Sequence, residues 1–244
     1  MQRGTIVVIK IENVVKSYGK VKALKGVSLE VQDGECFALL GLNGAGKTTL
    51  LNILSTSLNM DSGKVTMNGF DLTTERENVR KIINISPQET AVAKNLTVKE
   101  NFELIADLYK IVDKEEKIAN LIGEYALAEK ENTLAKKLSG GQMRRVSVAL
   151  SQLTEPKILF LDEPTLGLDV KARNILWKSI RKMKNKMTII LTTHYLDEVE
   201  SLADRVGIIS RGEVKVVGTI KEIEEMSNSK SLEEAFLKLT GDEE

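Results

Sequence analysis

The octapeptide Gly41-Leu42-Asn43-Gly44-Ala45-Gly46-Lys47-Thr48 constrains this chain more than any other stretch, because of what stands on either side of it. Before it lies the apolar run Cys36-Phe37-Ala38-Leu39-Leu40, of the length and character of a buried strand; after it, Leu50, Leu51, Ile53, Leu54 and Leu58 recur at helical spacing. Strand, glycine loop and helix in that order fit the Walker A phosphate loop. Its glycines let successive backbone N–H groups turn inward around phosphate oxygens, and the helix N-terminus adds its positive end. Gly41, Asn43, Gly44, Ala45, Gly46, Lys47, Thr48 and Thr49 are therefore the candidate nucleotide contacts. Lys47 would reach the β- and γ-phosphates, and the Thr48 hydroxyl would ligate Mg²⁺. A turn that merely joins strand to helix needs no such run of glycines, lysine and threonines.

A phosphate loop alone does not choose among an ATPase, a GTPase and a small-molecule kinase. Ile158-Leu159-Phe160-Leu161-Asp162-Glu163 reads as a second buried strand that ends in two carboxylates at the carboxyl edge of the sheet, where α/β proteins bind ligands. Successive strand residues point to opposite sides, so the two acids are expected to do different work. Asp162 would hold Mg²⁺ and its waters, and Glu163 would polarise the attacking water. Leu138-Ser139-Gly140-Gly141-Gln142 is more specific still. Ser139 and Gln142 stand in capping-box spacing, yet glycine in a first helical turn costs up to ~1 kcal/mol relative to alanine. Two in succession imply backbone N–H groups left bare for an anion.

The rest of the chain supplies the frame. Thr5 to Ile11 and Val21 to Val31 read as strands in hairpins, with turns at Gly19-Lys20 and Asp33-Gly34; Gly63 to Met67 and Val79 to Ile85 read as further strands. From Gln88 to Thr154 the pattern is helical. Thr97-Val98-Lys99-Glu100 is a capping box opening a helix with Val98, Phe102, Ile105 and Leu108 on one side, and two more helices carry Ile118, Leu121, Ile122 and Tyr125, then Met143, Val146, Ala149, Leu150 and Leu153. Strand 157–161, helix 170–183, strand 187–192, a short helix to Ala203 and the hairpin 205–217 complete an alternating βα pattern, which implies parallel βαβ units. The expected fold is α/β: a P-loop NTPase core with a mostly parallel sheet, an N-terminal antiparallel β-subdomain and an inserted α-helical subdomain. The core would take residues 1–88 and 155–220, the helical insert 89–154, and a helical tail 221–244 in which Phe236 and Leu237 dock.

Lysine plus arginine balance aspartate plus glutamate at 35 each, so no overall positive field draws the chain to nucleic acid. The single cysteine, Cys36, falls in the apolar run and reads as a buried residue of a reducing, cytosolic compartment. No apolar stretch approaches the ~20 residues of a membrane-spanning helix, and Met1 to Gly4 lacks a signal-peptide core.

Taken together in this order, the phosphate loop, the Leu138–Gln142 signature and the Asp162-Glu163 strand end resemble the ABC transporter ATPases, over nearly the whole chain. The resemblance implies that Ser139, Gly140, Gly141 and Gln142 bind the γ-phosphate of an ATP held on another subunit's phosphate loop, so that two chains pair head to tail around two ATPs. It implies an adenine-stacking role for Tyr18. It gives Gln88 contact with magnesium and water and makes it the sensor of the membrane partner. Asp169, in Leu166-Gly167-Leu168-Asp169, falls in the loop through which the two active sites communicate, and His194, the only histidine, falls where the family contacts the γ-phosphate and positions water.

Within the family, Thr193-His194-Tyr195-Leu196-Asp197-Glu198 and the segment Leu232 to Gly241 look like the drug- and sodium-exporter subgroup, whose ATPases serve separately encoded membrane subunits. The expected protein is the ATP-hydrolysing subunit of an exporter, cytoplasmic and peripheral on the inner face of the membrane. Ala91, Val92, Ala93 and Leu96, apolar but without a period, would either fill the core or line a groove for a short helix of that partner. The alternative is a soluble ABC-type ATPase not coupled to transport. A GTPase lacks support, since no Asn-Lys-x-Asp motif is present.

Overall fold

The computed structural model describes residues 6–241; expectations that touch residues 1–5 and 242–244 lie outside the described residues. β1 (Val7–Tyr18) and β2 (Val21–Gln32) pair antiparallel, and β4 (Ser62–Met67) and β5 (Phe70–Asp71) extend them into a 4-stranded sheet of order β2-β1-β4-β5. β1 continues to Tyr18, well past the expected end at Ile11. Asn13 sits at φ 51°, and the register against β2 shifts between Ile11 and Val14, so a bulge breaks the alternation while the pairing goes on.

The second sheet is 6-stranded, of order β10-β9-β3-β8-β7-β6. Parallel pairing joins β3 (Cys36–Leu40), β6 (Ile83–Ser86), β7 (Ile158–Asp162), β8 (Thr188–Thr193) and β9 (Arg205–Ser210), and β10 (Glu213–Gly218) adds an antiparallel edge. The two sheets are the expected pair, one mostly parallel and one antiparallel. β3, β7 and β8 are buried on both faces, which is why the apolar runs Cys36–Leu40, 158–161 and 189–191 show no alternation. Along β3, Cys36, Ala38 and Leu40 join one hydrophobic cluster, and Phe37 and Leu39 join the other. Burial pushes the Cys36 thiol up to about 12, so it serves as a small hydrophobe.

Helix α1 (Lys47–Leu54) follows the glycine loop, and its Leu50, Leu51, Ile53 and Leu54 enter the cluster shared with the antiparallel sheet. α2 (Arg76–Arg80) occupies what the sequence pattern assigns to the beginning of a strand at Val79. One turn carrying one buried residue has no detectable period, and the strand begins only at Ile83. Between β6 and β7 come α3 (Val98–Leu108), α4 (Lys114–Glu124) and α5 (Gly140–Gln152). The Thr97–Glu100 capping box forms as expected, but Leu108 is exposed at the outer end of α3. Val98, Phe102, Ile118 and Ile122 belong to the same cluster as Leu159 and Leu161, so the helical stretch shares one core with a face of the parallel sheet. The remaining helices are α6 (Val170–Met183), α7 (Leu196–Leu202), α8 (Ile220–Met226) and α9 (Leu232–Thr240). Of the expected docking pair, Phe236 is buried and Leu237 is exposed. Among the described residues no helix is long and apolar enough to cross a membrane.

Candidate active site

The glycine loop leaves β3 at the carboxyl edge of the parallel sheet and delivers the chain to α1. Gly46 caps α1 at φ 106°, and a Cβ there would stand 2.7 Å from the Ala23 carbonyl. Only glycine fits both the backbone and the space. The β1–β2 hairpin therefore lies against the loop. Lys47 is 4% exposed; its Nζ donates to the Gly41 carbonyl at 2.7 Å and the Leu42 carbonyl at 3.0 Å, and lies 3.4 Å from Glu163 Oε1. A cleft of about 380 Å³ opens here, lined by loop residues Asn43, Gly44, Gly46, Lys47, Thr48 and Thr49 together with Gln88, Glu163 and His194.

Behind the loop, Asp162 ends β7, almost fully buried. Its Oδ1 accepts from Thr192 Oγ1 at 2.5 Å and from Thr48 Oγ1 at 3.3 Å. Burial raises its carboxyl above the ordinary value, against the two hydroxyls that lower it. Glu163 separates from Asp162 as expected, but by a different route. It is not a strand residue: at φ 45° the chain turns left-handed, with its N–H held by the Thr192 carbonyl at 3.1 Å and Thr192 Oγ1 at 3.0 Å. That conformation is costly for a side chain with a Cβ. It turns Glu163 into the cleft, where Oε2 lies 3.3 Å from His194 Nδ1. His194 Nδ1 is buried without a hydrogen bond of good geometry. Thr192, which sequence reasoning passed over, thus fixes both acids.

Other expected residues lie elsewhere. Tyr18 ends β1, half exposed, and does not line the cleft. Ser139 and Gln142 do not line it either; they form the capping box of α5, with Ser139 Oγ accepting from Gln142 N at 3.2 Å and Gln142 Oε1 accepting from Ser139 N at 2.9 Å. The two signature glycines differ. A Cβ on Gly140 would meet nothing within 4 Å, whereas one on Gly141 would stand 3.0 Å from Ala172 Cβ. Gly141 therefore also serves close packing on α6. Asp169 caps α6, its Oδ1 accepting from Ala172 N at 2.8 Å. In the segment after Gln88, Val92 and Leu96 turn partly inward, Val92 onto the core, leaving Ala91 and Ala93 exposed. The buried side chain of Asn101 fixes this segment, accepting from Ala93 N at 2.8 Å and donating to the Ala93 and Thr97 carbonyls at 3.1 and 2.8 Å.

Two more residues near the site escaped the sequence reading. Arg144, in α5, is buried against carbonyls of the turns that follow β6 and β7. Glu198, in α7, is fully buried; its Oε1 accepts from Thr165 Oγ1 at 2.9 Å and Trp177 Nε1 at 3.3 Å, and among the described residues its Oε2 meets no donor in good geometry, though the Thr193 hydroxyl acts on the carboxyl. A sequence hint existed for the first: after Arg145, α5 carries no charged residue, the mark of a helix buried all round.

A ring of backbone N–H groups at a helix N-terminus, with a buried ammonium beside it, takes phosphate. The class is therefore that of the phosphate-loop nucleotide-binding proteins. Known sequences and structures narrow it. The ABC transporter family profile matches residues 24–166. The daunorubicin/doxorubicin resistance ATP-binding protein DrrA of Streptomyces peucetius is 38% identical over 227 residues, covering 92% of this chain and 69% of that protein. The linearmycin resistance ATP-binding protein LnrL of Bacillus subtilis (strain 168) is 36% identical over 214 residues, covering 86% and 69%. Among solved structures, the ATP-binding subunit of an ABC transporter superposes with a TM-score of 0.86 at 29% identity, covering 96% of this chain and 99% of that one. An ATP-binding cassette in a dimeric post-hydrolysis state with ADP and Pi gives 0.78 at 26% identity, covering 86% and 98%. The chain belongs to the ABC transporter family, as an ATP-binding and ATP-hydrolysing subunit.

Proposed function

We propose that this chain hydrolyses Mg-ATP at two composite sites of a head-to-tail homodimer, and that the dimer drives export through a separate membrane permease from the inner face of the membrane. The observation that carries the composite site is a division within the fold. Phosphate loop, Glu163, His194 and Gln88 converge on one cleft, while the α5 N-terminus, with Gly140 open to solvent, stays outside it. A second helix N-terminus able to hold an anion is thus unused within one chain. Residues 89–154 form the helical unit that carries it, 1–88 and 155–220 the nucleotide-binding core, and 221–244 the tail. The drug-resistance relatives support the direction of transport.

The residues fit magnesium. The Thr48 hydroxyl, the Asp162 carboxylate and the Gln88 amide are oxygen donors, and Mg²⁺ is ordinarily held by one or two carboxylates plus substrate phosphates rather than by a full protein cage. When bound, the ion neutralises charge on the β- and γ-phosphates. Lys47, already desolvated, presents its ammonium to the same oxygens. The loop from Gly41 to Thr49 holds the phosphates, and Tyr18 stacks on adenine. Glu163 accepts the proton of the attacking water, while His194 orients that water and contacts the γ-phosphate. Ser139, Gly140, Gly141 and Gln142 close the site from the partner chain, and Asp169 sits at the seam.

The experiment mixes two inactive variants, Lys47→Ala and Ser139→Arg. One mixed dimer then contains one intact loop opposite one intact signature, and ATP-dependent pairing returns in that fraction. Absence of any mixed dimer under ATP would overturn the shared site.

A further inference from the structure

Arg144 has no part in the reading above, yet it touches two pieces of the site at once. It lies in the first turns of α5, two positions beyond Gln142, and is 5% exposed. Its Nε donates to the Pro164 carbonyl at 2.9 Å and its Nη2 to the Asp162 carbonyl at 2.5 Å. Its Nη1 donates to the carbonyl of Pro87 and, at 3.3 Å, to that of Gln88. Four carbonyls are gathered by one planar group. Two belong to the turn after β6, one to the last residue of β7 and one to the turn that follows it, and these neighbouring strands lead into Gln88 and Glu163.

Among the described residues no carboxylate hydrogen-bonds this guanidinium; Asp162, Glu163 and Glu198 act on it only through space, and burial draws it down to about 10, still a cation near neutral pH. A buried cation on neutral acceptors is an expensive way to fill space. What the charge and the fork supply is rigidity: five donors in a fixed plane hold four acceptors in one arrangement, which a flexible lysine cannot do. Arg145 makes the contrast. It is buried in the same helix, but its Nη1 donates to the carbonyls of Tyr125 and Ala126, at 2.6 and 2.9 Å, just past the end of α4. Consecutive arginines thus fasten α5 to two different bodies.

We propose that Arg144 is a positioning residue for hydrolysis: it locks the Gln88 turn and the Asp162–Pro164 turn to the signature helix, so that a displacement of α5 moves Gln88 and Glu163 together. The inference rests on the proposed roles of those two residues. Placement is where catalysis is sensitive, since a shift on the order of 1 Å in a reacting group can cost 10²-fold. The phosphate loop makes no bond to Arg144, so turnover is expected to suffer more than nucleotide binding.

The test compares Arg144→Lys, Arg145→Lys and Gln88→Ala in the full chain, measuring kcat and KM for Mg-ATP beside thermal melting. Arg144→Lys is expected to lower kcat at least tenfold with KM changed less than about threefold. Arg145→Lys melts earlier as well but keeps kcat within twofold. Combining Arg144→Lys with Gln88→Ala gives a kcat close to that of the worse single variant, because both act on one arrangement. Unchanged kcat in Arg144→Lys, or losses that multiply in the double variant, overturns the proposal. Should Arg144→Lys fail to fold, hydrogen exchange on Glu163→Gln, which retains Arg144, decides. Titrated Mg-ATP must then protect residues 87–90, 140–146 and 162–166 at one concentration, and protection of 87–90 without 140–146 overturns the proposal. Glu163→Gln also separates the two readings. If it still turns over, the assigned base is wrong; if it is inert while Arg144→Lys is normal, only the role of Arg144 falls.

Discussion

Replacing Glu163 by glutamine tests the chemistry with the least disturbance of shape. The amide is isosteric, and the left-handed backbone at φ 45° is held through the Glu163 N–H by Thr192, which the change leaves in place. What is lost is a proton acceptor. A positioned general base contributes roughly 10²–10⁴-fold, or about 2.7–5.5 kcal/mol of barrier, so kcat is expected to fall by that factor. Stability responds differently. Glu163 Oε1 lies 3.4 Å from Lys47 Nζ, a gross attraction of about 5 kcal/mol at an effective dielectric near 20. Desolvating the carboxylate costs several kcal/mol in return, and Lys47 keeps its two carbonyl acceptors, Gly41 and Leu42. The net change in unfolding free energy is expected to stay below about 2 kcal/mol. ATP affinity is retained, and ATP-bound dimers accumulate because the variant cannot leave that state by hydrolysis. The assay is phosphate release under saturating Mg-ATP, beside equilibrium nucleotide binding and size exclusion. Turnover within about tenfold of the parent would remove Glu163 from the role of base.

Two further changes probe the surroundings. Burial raises the Glu198 carboxyl above its ordinary 4.5, so its contribution to stability is present below that pH and is lost as pH rises through the higher folded value. Glu198→Gln is therefore expected to gain on the parent as pH climbs above 4.5, by about 1.4 kcal/mol for each unit of displacement, and a difference in melting that does not vary with pH would refute this. Ala91→Asp, on an exposed position of the segment after Gln88, should weaken capture of the permease while shifting stability by no more than about 0.5 kcal/mol; normal capture would place the partner's contact elsewhere.

Residues whose role is local were legible in the sequence. Both capping boxes, Thr97–Glu100 and Ser139–Gln142, form as their spacing requires, and helix α6 spans the expected Val170–Met183. Where alternation is interrupted by a bulge, as at Asn13, or a helix is only one turn long, as at Arg76–Arg80, the pattern misleads. The site divides in the same way. A glycine loop carries its chemistry in its own spacing, whereas Thr192, Arg144 and Glu198 act through partners distant in sequence, with polar side chains that apolar periodicity does not count. Glu163 combines both cases: its place after the apolar strand was readable, but its left-handed backbone depends on its N–H donating to the carbonyl and hydroxyl of Thr192 in β8.

The packing of Gly141 explains how a contact at the signature is felt beyond it. Its missing Cβ lets α5 approach Ala172 so closely that an added methyl would stand 3.0 Å from the alanine Cβ, tighter than ordinary carbon contact. Ala172 is also the residue whose N–H is capped by Asp169. The start of α5 and the start of α6 are thus braced against each other at one point. α6 in turn follows the Thr165–Asp169 loop, and Thr165 is bonded to Glu198 in α7, beyond His194. A displacement that presses the start of α5 toward α6 meets Ala172 after little travel, and close-packed contacts transmit such compression rather than absorb it. Through Arg144 the same helix holds the turns of Gln88 and Glu163. One helix therefore touches the Gln88 turn, the end of β7 that carries Glu163 and the start of α6 beyond Asp169, so a load at its N-terminus bears on all three together.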